Sequence, residues 1–191
     1  RIFAVRVLGT LGVEATPVIP ALTELLRHPS LSLRAEVLES LGKLGATALP
    51  AVTAVNEKLL DAKEDLYIRR LAAGTLGNLR EPGVAALAKA LEQDEDEIAF
   101  NAAVSLAANY GTNSVSAAHE VLQSKNARGR RFAAMALAKM GPRAKDAYDR
   151  LAIAAADPEI AVRRNAIEAL GRVGNDKAVD LCVAALKDNA P

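Results

Sequence analysis

Asp157-Pro-Glu-Ile-Ala-Val-Arg163-Arg-Asn-Ala-Ile-Glu-Ala-Leu170-Gly-Arg-Val-Gly174 is the stretch that decides the fold. An aspartate followed by a proline is a clean helix start, N-cap and first helical residue in turn. The helix then runs to a glycine, which can take the left-handed conformation that closes a helix. Taken alone, this is one helix. Its meaning comes from its copies.

The ending Leu170-Gly-Arg-Val-Gly174 is preceded by Leu8-Gly-Thr-Leu-Gly12, Leu41-Gly-Lys-Leu-Gly45, Leu76-Gly-Asn-Leu-Arg80, Ala107-Ala-Asn-Tyr-Gly111 and Leu137-Ala-Lys-Met-Gly141. Seven residues before each of the six stand Arg1, Arg34, Arg69, Phe100, Arg130 and Arg163. The successive spacings are 33, 35, 31, 30 and 33 residues. Internal self-similarity at this period is the mark of a stacked array.

Each period holds two helical patterns. The first follows a turn signal, as with Val18, Ile19, Leu22, Leu25 and Leu26 after Pro17. The same pattern follows Asn175-Asp176 as Val179, Leu181, Cys182 and Leu186. The second begins near Pro29, Asp65, Glu95, Asn126 or Pro158 and ends at Gly12, Gly45, Gly111, Gly141 or Gly174. Pro142, directly after Gly141, strengthens that stop. No period-two strand pattern occurs.

Composition agrees. Hydrophobic residues make up 51% of the 191, yet aromatics only 3%, with no Trp. An Ala- and Leu-rich chain favours helices. A single globular core would recruit more large rings, so the expected core is thin and continuous. Ala72, Ala73, Ala102, Ala103, Ala133, Ala134 and Ala166 are small enough to let successive helix pairs stack. The formal net charge of +1 argues against nucleic acid or an anionic membrane as a whole-surface partner. No apolar run reaches the roughly 18 residues of a membrane span. A single cysteine, Cys182, excludes an internal disulfide and a Cys-based metal cluster, and reads as a small buried apolar residue.

The pattern Val-Arg, two variable residues, Ala-Ala, then Ala-Leu-Gly-x-Leu-Gly resembles the second helix of a HEAT repeat, most closely the short bacterial type also called PBS-lyase-like. Phe100 and Ala107-Ala108 depart from it. The resemblance implies an all-α, right-handed α-solenoid of about five to six helix pairs. Residues 1–191 would form one segment cut within a repeat at both ends, with arginine positions near 1, 34, 69, 100, 130 and 163. Tetratricopeptide and ankyrin signatures are missing, and armadillo repeats would need a third helix.

The resemblance also implies that second helices line a concave face. Positions one, two, five and nine after the arginine share one side of the helix. In the middle of the array, Gly74, Ala102 and Ser105 leave a low floor. Leu71, Phe132 and Met135 are apolar at nominally solvent-facing positions, and Arg70, Arg131, Lys139, Arg164 and Arg172 surround them. Apolar anchors inside a basic rim suit an acidic amphipathic helix or an extended peptide. The competing reading turns Phe132 and Met135 into the inter-repeat core and leaves the arginines as a solvated face.

In the family the repeat arginine pairs with the turn aspartate of its own and neighbouring repeats. Arg34, Arg69, Arg130 and Arg163, with Asp157, therefore read as a structural ladder. Catalytic signals are weak. His28 sits beside a turn proline, and Asp146 and Asp149 fit a charged solvent face. His119-Glu120 is similar to the iron-binding His-Glu pairs of deoxyhypusine hydroxylase, but one pair lacks the converging ligands a metal needs. The expectation is a non-catalytic scaffold or spacer, monomeric within a larger chain, that needs no metal or cofactor and holds a protein or peptide; the compartment is not given by the sequence, with a lean to the cytoplasm. The alternatives are an accessory part of a larger enzyme or sensor, and a bilin-lyase-like substrate clamp.

Overall fold

The computed structural model describes residues 1–109 and 113–174, together with Ala178, Val179 and Val183. Within these residues the second-helix patterns become α1 (Ile2–Leu8), α3 (Leu31–Leu44), α5 (Leu66–Asn78), α7 (Asp96–Ala108), α9 (Ala127–Met140) and α11 (Ile160–Val173). The first-helix patterns become α2 (Ile19–Leu25), α4 (Val52–Leu60), α6 (Val84–Ala90), α8 (Asn113–Val121) and α10 (Tyr148–Ala154). No strand occurs among the described residues.

Each second helix packs on the next, α1 on α3, α3 on α5 and so on to α11. The first helices form the other layer, α4 against α6 and α6 against α8. An element therefore touches its repeat neighbours and little else, which is the architecture of an α-solenoid. The alanines expected at the stacking surface are fully buried, and the buried apolar residues form one continuous cluster along the array. No helix among the described residues is long and apolar enough to cross a membrane.

The links between the layers show what the glycines do. Gly45 and Gly141 have φ of 53° and 57° with ψ of −124° and −132°. This is not the left-handed helical region that the sequence suggests. It is a conformation still more restricted to glycine. The chain leaves it directly into a seven-residue 3₁₀ turn, Gly45–Ala51 or Gly141–Ala147, that leads into the next first helix. Three residues after the glycine stands a fully buried alanine: Ala15, Ala48 or Ala144. In the third repeat Arg80 holds this place, with φ of 64° and ψ of −132°.

Helix starts follow side-chain chemistry. Ser30, Asp65 and Asn126 accept backbone N–H bonds at the openings of α3, α5 and α9. At α11 the start differs from the expected one. The helix begins at Ile160, and Asp157 accepts from the Glu159 N–H at 2.9 Å rather than capping a helix that starts at Pro158. Asp157 is free of capping because it has another partner, described below.

Gly111, Leu181, Cys182 and Leu186 lie outside the described residues, as do Asn175 and Asp176. Val179, placed by the sequence on an apolar stripe, is exposed.

Candidate functional site

Burial along the second helices reveals the true register of the fourth repeat. In α5 the buried positions are Ile68, Arg69, Ala72, Ala73, Thr75 and Leu76. In α7 Ile98, Ala99, Ala102, Ala103, Ser105 and Leu106 are buried, each 30 residues on, together with Ala107. Ala99, not Phe100, therefore occupies the arginine position. Phe100 moves to the outward position of Arg70, where it is 47% exposed, and Val104 takes the place of Gly74. The helix-ending motif hides this register because Leu106-Ala107-Ala108 stands where α5 has Leu76-Gly77-Asn78, without the glycine that marks the ending. The offset of 30 between the two apolar patterns carries the correct signal.

The arginine positions form a ladder in which Arg130 meets the turn aspartate of the neighbouring repeat, as expected, while the partners within each arginine's own repeat are backbone carbonyls. Arg34 donates to the carbonyls of His28 and Pro29 in its own turn, and to Glu64 of the next repeat at 2.9 Å. Lys58 also donates to Glu64 at 2.6 Å. Arg69, buried, donates to the Leu59 carbonyl, to Gln93 Oε1 and to Glu95. Arg130 donates to the carbonyls of Ser124 and Lys125, then to both oxygens of Asp157. Arg163 in turn donates to the carbonyls of Asp157 and Pro158. The rule is carbonyls at home and a carboxylate next door. Asp157 thus serves Arg130 of the preceding repeat with its carboxylate and Arg163 of its own with its carbonyl.

Without an arginine at Ala99 the fourth junction runs the other way. Arg128 reaches back from the fifth repeat to Asp94, Asp96 and the Gln93 carbonyl. Arg131 joins it at Asp96. Ser124 donates to Glu92, and Asn126 donates to the Glu92 carbonyl.

The outward side of α3, α5 and α7 encloses a groove of about 560 Å³. Leu71, Gly74, Ser105, Val104 and Ala108 line its apolar part, with Glu39, Lys43 and Arg70 at its edge. Phe100 lies one helical turn from Val104 on the same face. The Lys139 ammonium stands 5.9 Å from the Phe100 ring centroid.

The proposed binding residues divide. Arg70 and Leu71 line the groove, and Lys139 lies against the Phe100 ring outside it. Gly74 and Ser105 belong to the expected floor, whereas Ala102 is buried beneath it. Met135 is half-buried against the core. Phe132 is 2% exposed and belongs to the inter-repeat core. The second position after the arginine turns towards the neighbouring second helix in this repeat, unlike Leu71 at the groove and exposed Phe3, which hold the same position. Glu36 and Asn165 at the same position are buried too. Arg131 covers the Phe132 ring at 4.8 Å from its centroid. The rim is also less basic than its sequence suggests, because Arg70 pairs with Glu97, Arg131 with Asp96 and Arg172 with Glu168. Arg164 is exposed on α11. No group of three or more His, Cys, Asp or Glu side chains placed to hold a metal occurs among the described residues.

Comparison with known proteins places the fold. Residues 148–191 match the family of HEAT repeats. No curated protein matches the chain. Among solved structures, a chain from a study of microtubule plus-end tracking by XMAP215, CLIP-170 and EB1 has a TM-score of 0.63 at 21% identity, over 89% of this chain and 84% of that one. A chain from the complex of CpcE and CpcF of phycocyanin lyase from Nostoc sp. PCC7120 has 0.55 at 23%, over 90% and 71%. Human deoxyhypusine hydroxylase has 0.53 at 21%, over 90% and 78%. At such identities the likeness is one of fold. The chain is therefore an all-α solenoid over most of its length, and its residues 148–191 match HEAT repeats.

Proposed function

We propose that this chain is a non-catalytic interaction scaffold that docks a segment of a protein partner, acidic and amphipathic, on its second-helix face. The observation that carries the reading is the groove over α3, α5 and α7. Val104 is part of its lining, exposed Phe100 with Lys139 beside its ring lies one helical turn away, and Lys43 and Arg70 stand at its edge with Glu39. Large apolar side chains left in water beside a concave surface, inside a charged rim, are what a helix-in-groove partner covers. The groove keeps Arg70, Leu71, Gly74 and Ser105 of the residues expected from the sequence and leaves out Phe132, which is buried.

Two of the similar structures concern enzymes, a phycocyanin lyase and deoxyhypusine hydroxylase. This supports a second reading, an accessory segment or substrate clamp of an enzyme. Visible absorption after incubation with bilin, and iron content after purification, separate the readings. Stoichiometric chromophore or iron would favour the second.

The first reading is tested with a fluorescein-labelled peptide, selected on the chain from a library of amphipathic helices with Asp and Glu on the polar face. Phe100→Asp/Val104→Asp is expected to weaken binding by more than about tenfold, roughly 1.4 kcal/mol. Equal binding by this variant, still folded by circular dichroism, would remove the groove from the protein's function.

A further inference from the structure

We infer that the two ends of the array bind each other: α11 of one copy of the chain receives α1 of a second copy, head to tail. This surface is separate from the groove and does not rest on it.

The second helices stack through one interface that recurs from α1 to α11. In the corrected register, the later helix of each pair presents the third, sixth and tenth positions after the arginine position. At the sixth stand Ser40, Thr75, Ser105, Ala136 and Ala169, all buried. The earlier helix offers its eighth position as a socket. A Cβ at Gly9 would meet Ser40 at 2.8 Å, and one at Gly77 would meet Ser105 at 3.1 Å. At Gly42 it would meet Asn78 at 3.3 Å and Thr75 at 3.6 Å. The Ser40 and Thr75 hydroxyls also donate to the carbonyls of Val5 and Leu38, at the fourth position of the earlier helix.

Size is matched across this contact. Glycine faces Ser40, Thr75 and Ser105. Where α7 and α9 carry Ala107 and Ala138 in the socket, the register sets the smaller Ala136 and Ala169 opposite. Close packing allows a gain on one side only against a loss on the other.

Among the described residues, each half of this interface occurs once without its mate. On α1, Val7 at the sixth position is 43% exposed. Ala4 at the third is exposed too, where Val37, Ala72, Ala102, Ala133 and Ala166 are fully buried. Just past α1, Leu11 at the tenth is exposed, where Leu44, Leu79, Met140 and Val173 are buried. On α11, a Cβ at Gly171 would meet nothing within 4 Å. Ile167 at the fourth position is only partly buried, where Leu38, Ala73, Ala103 and Ala134 are fully so.

The glycine socket sets the size of the knob. Gly42 takes the β-branched Thr75, and Val7 has the same branched shape with a methyl for the hydroxyl. Val7 over Gly171 therefore repeats a junction the array already makes internally, and a second copy of the chain carries both halves of it. The two faces differ, so the contact is heterologous. Copies add end to end instead of closing as a pair.

The test follows the mean mass of the wild-type chain by sedimentation velocity across a concentration series, where it is expected to rise past that of a dimer. Val7→Asp destroys the knob and Gly171→Gln fills the socket. Each variant alone is expected to associate at least about tenfold more weakly. Mixed, they are expected to form a one-to-one complex that grows no further, because Val7→Asp keeps its socket and Gly171→Gln its knob. Circular dichroism reports the helix content of both, and Phe3→Asp, an exposed residue of the same helix, replaces Val7→Asp should the latter lose helix. A wild-type chain that stays monomeric at every concentration, or stops at a dimer, would overturn the inference. So would undiminished association in either variant, or a mixture that stays monomeric.

Discussion

Arg130 and Asp157 belong to different repeats yet form a two-pronged ion pair, Nε to one oxygen at 2.7 Å and Nη2 to the other at 3.0 Å. Both side chains are mostly buried, and each has a second backbone bond in its own turn or helix start. A charge pair taken out of water in this way fixes the register of one repeat on the next more than it adds net stability.

Removing one partner leaves the other charge buried. Asp157→Ala is expected to destabilise the chain by about 2–4 kcal/mol, read from urea denaturation. Asp94, which also meets an arginine across a junction, is fully exposed. Asp94→Ala is expected to leave the urea midpoint close to wild type. Equal effects from the two would mean that burial does not govern the ladder.

Acid should release the same contacts. Burial pushes the Glu64 carboxyl up, but bonds from Lys58 and the Asp65 N–H, with the charges of Lys58 and Arg34, hold it lower overall. Asp157 is likewise pushed up by burial and brought down further by Arg130, the Glu159 N–H and Arg163. A carboxyl lowered by folding contributes stability that is complete above its unfolded value and is lost as pH falls through the folded one. The window therefore opens near the ordinary values of 4.5 for Glu64 and 3.8 for Asp157 and extends below them. Denaturation midpoints should fall through that range, and the Glu64→Gln/Asp157→Asn variant should show a flatter profile.

Arg80 stands where other repeats place a glycine, in backbone that side chains rarely adopt. Strain of this kind costs on the order of 1–3 kcal/mol. Arg80→Gly is expected to recover about 1 kcal/mol, a rise in Tm of roughly 2–4 °C. A fall in Tm would show that the Arg80 side chain contributes more than its backbone costs.

Phe132 is buried between second helices, whereas Phe100 is 47% exposed. Phe132→Ala opens a cavity between second helices and is expected to cost about 3–5 kcal/mol. Phe100→Ala removes an exposed ring and is expected to change stability by less than about 0.5 kcal/mol. Thermal denaturation of the two single variants distinguishes them. Comparable losses would contradict the corrected register.

The sequence by itself determined that the chain is a helical array of a definite period. Helix type, hairpin order and stacking surfaces follow from local signals: capping residues, closing glycines, and alanines at 3.6-residue spacing. These act within a few residues and are legible one segment at a time. Tertiary structure decided what depends on neighbours. It placed Ala99 in the fourth arginine position, because burial against α5 and α9 overrides a degenerate ending motif. It turned Phe132 inward and left Phe100 outside, a distinction of one residue, or about 100° around a helix. It sent the carboxylate of Asp157 to the preceding repeat. Those choices are made by the stacking of one helix on the next, and no single segment contains them.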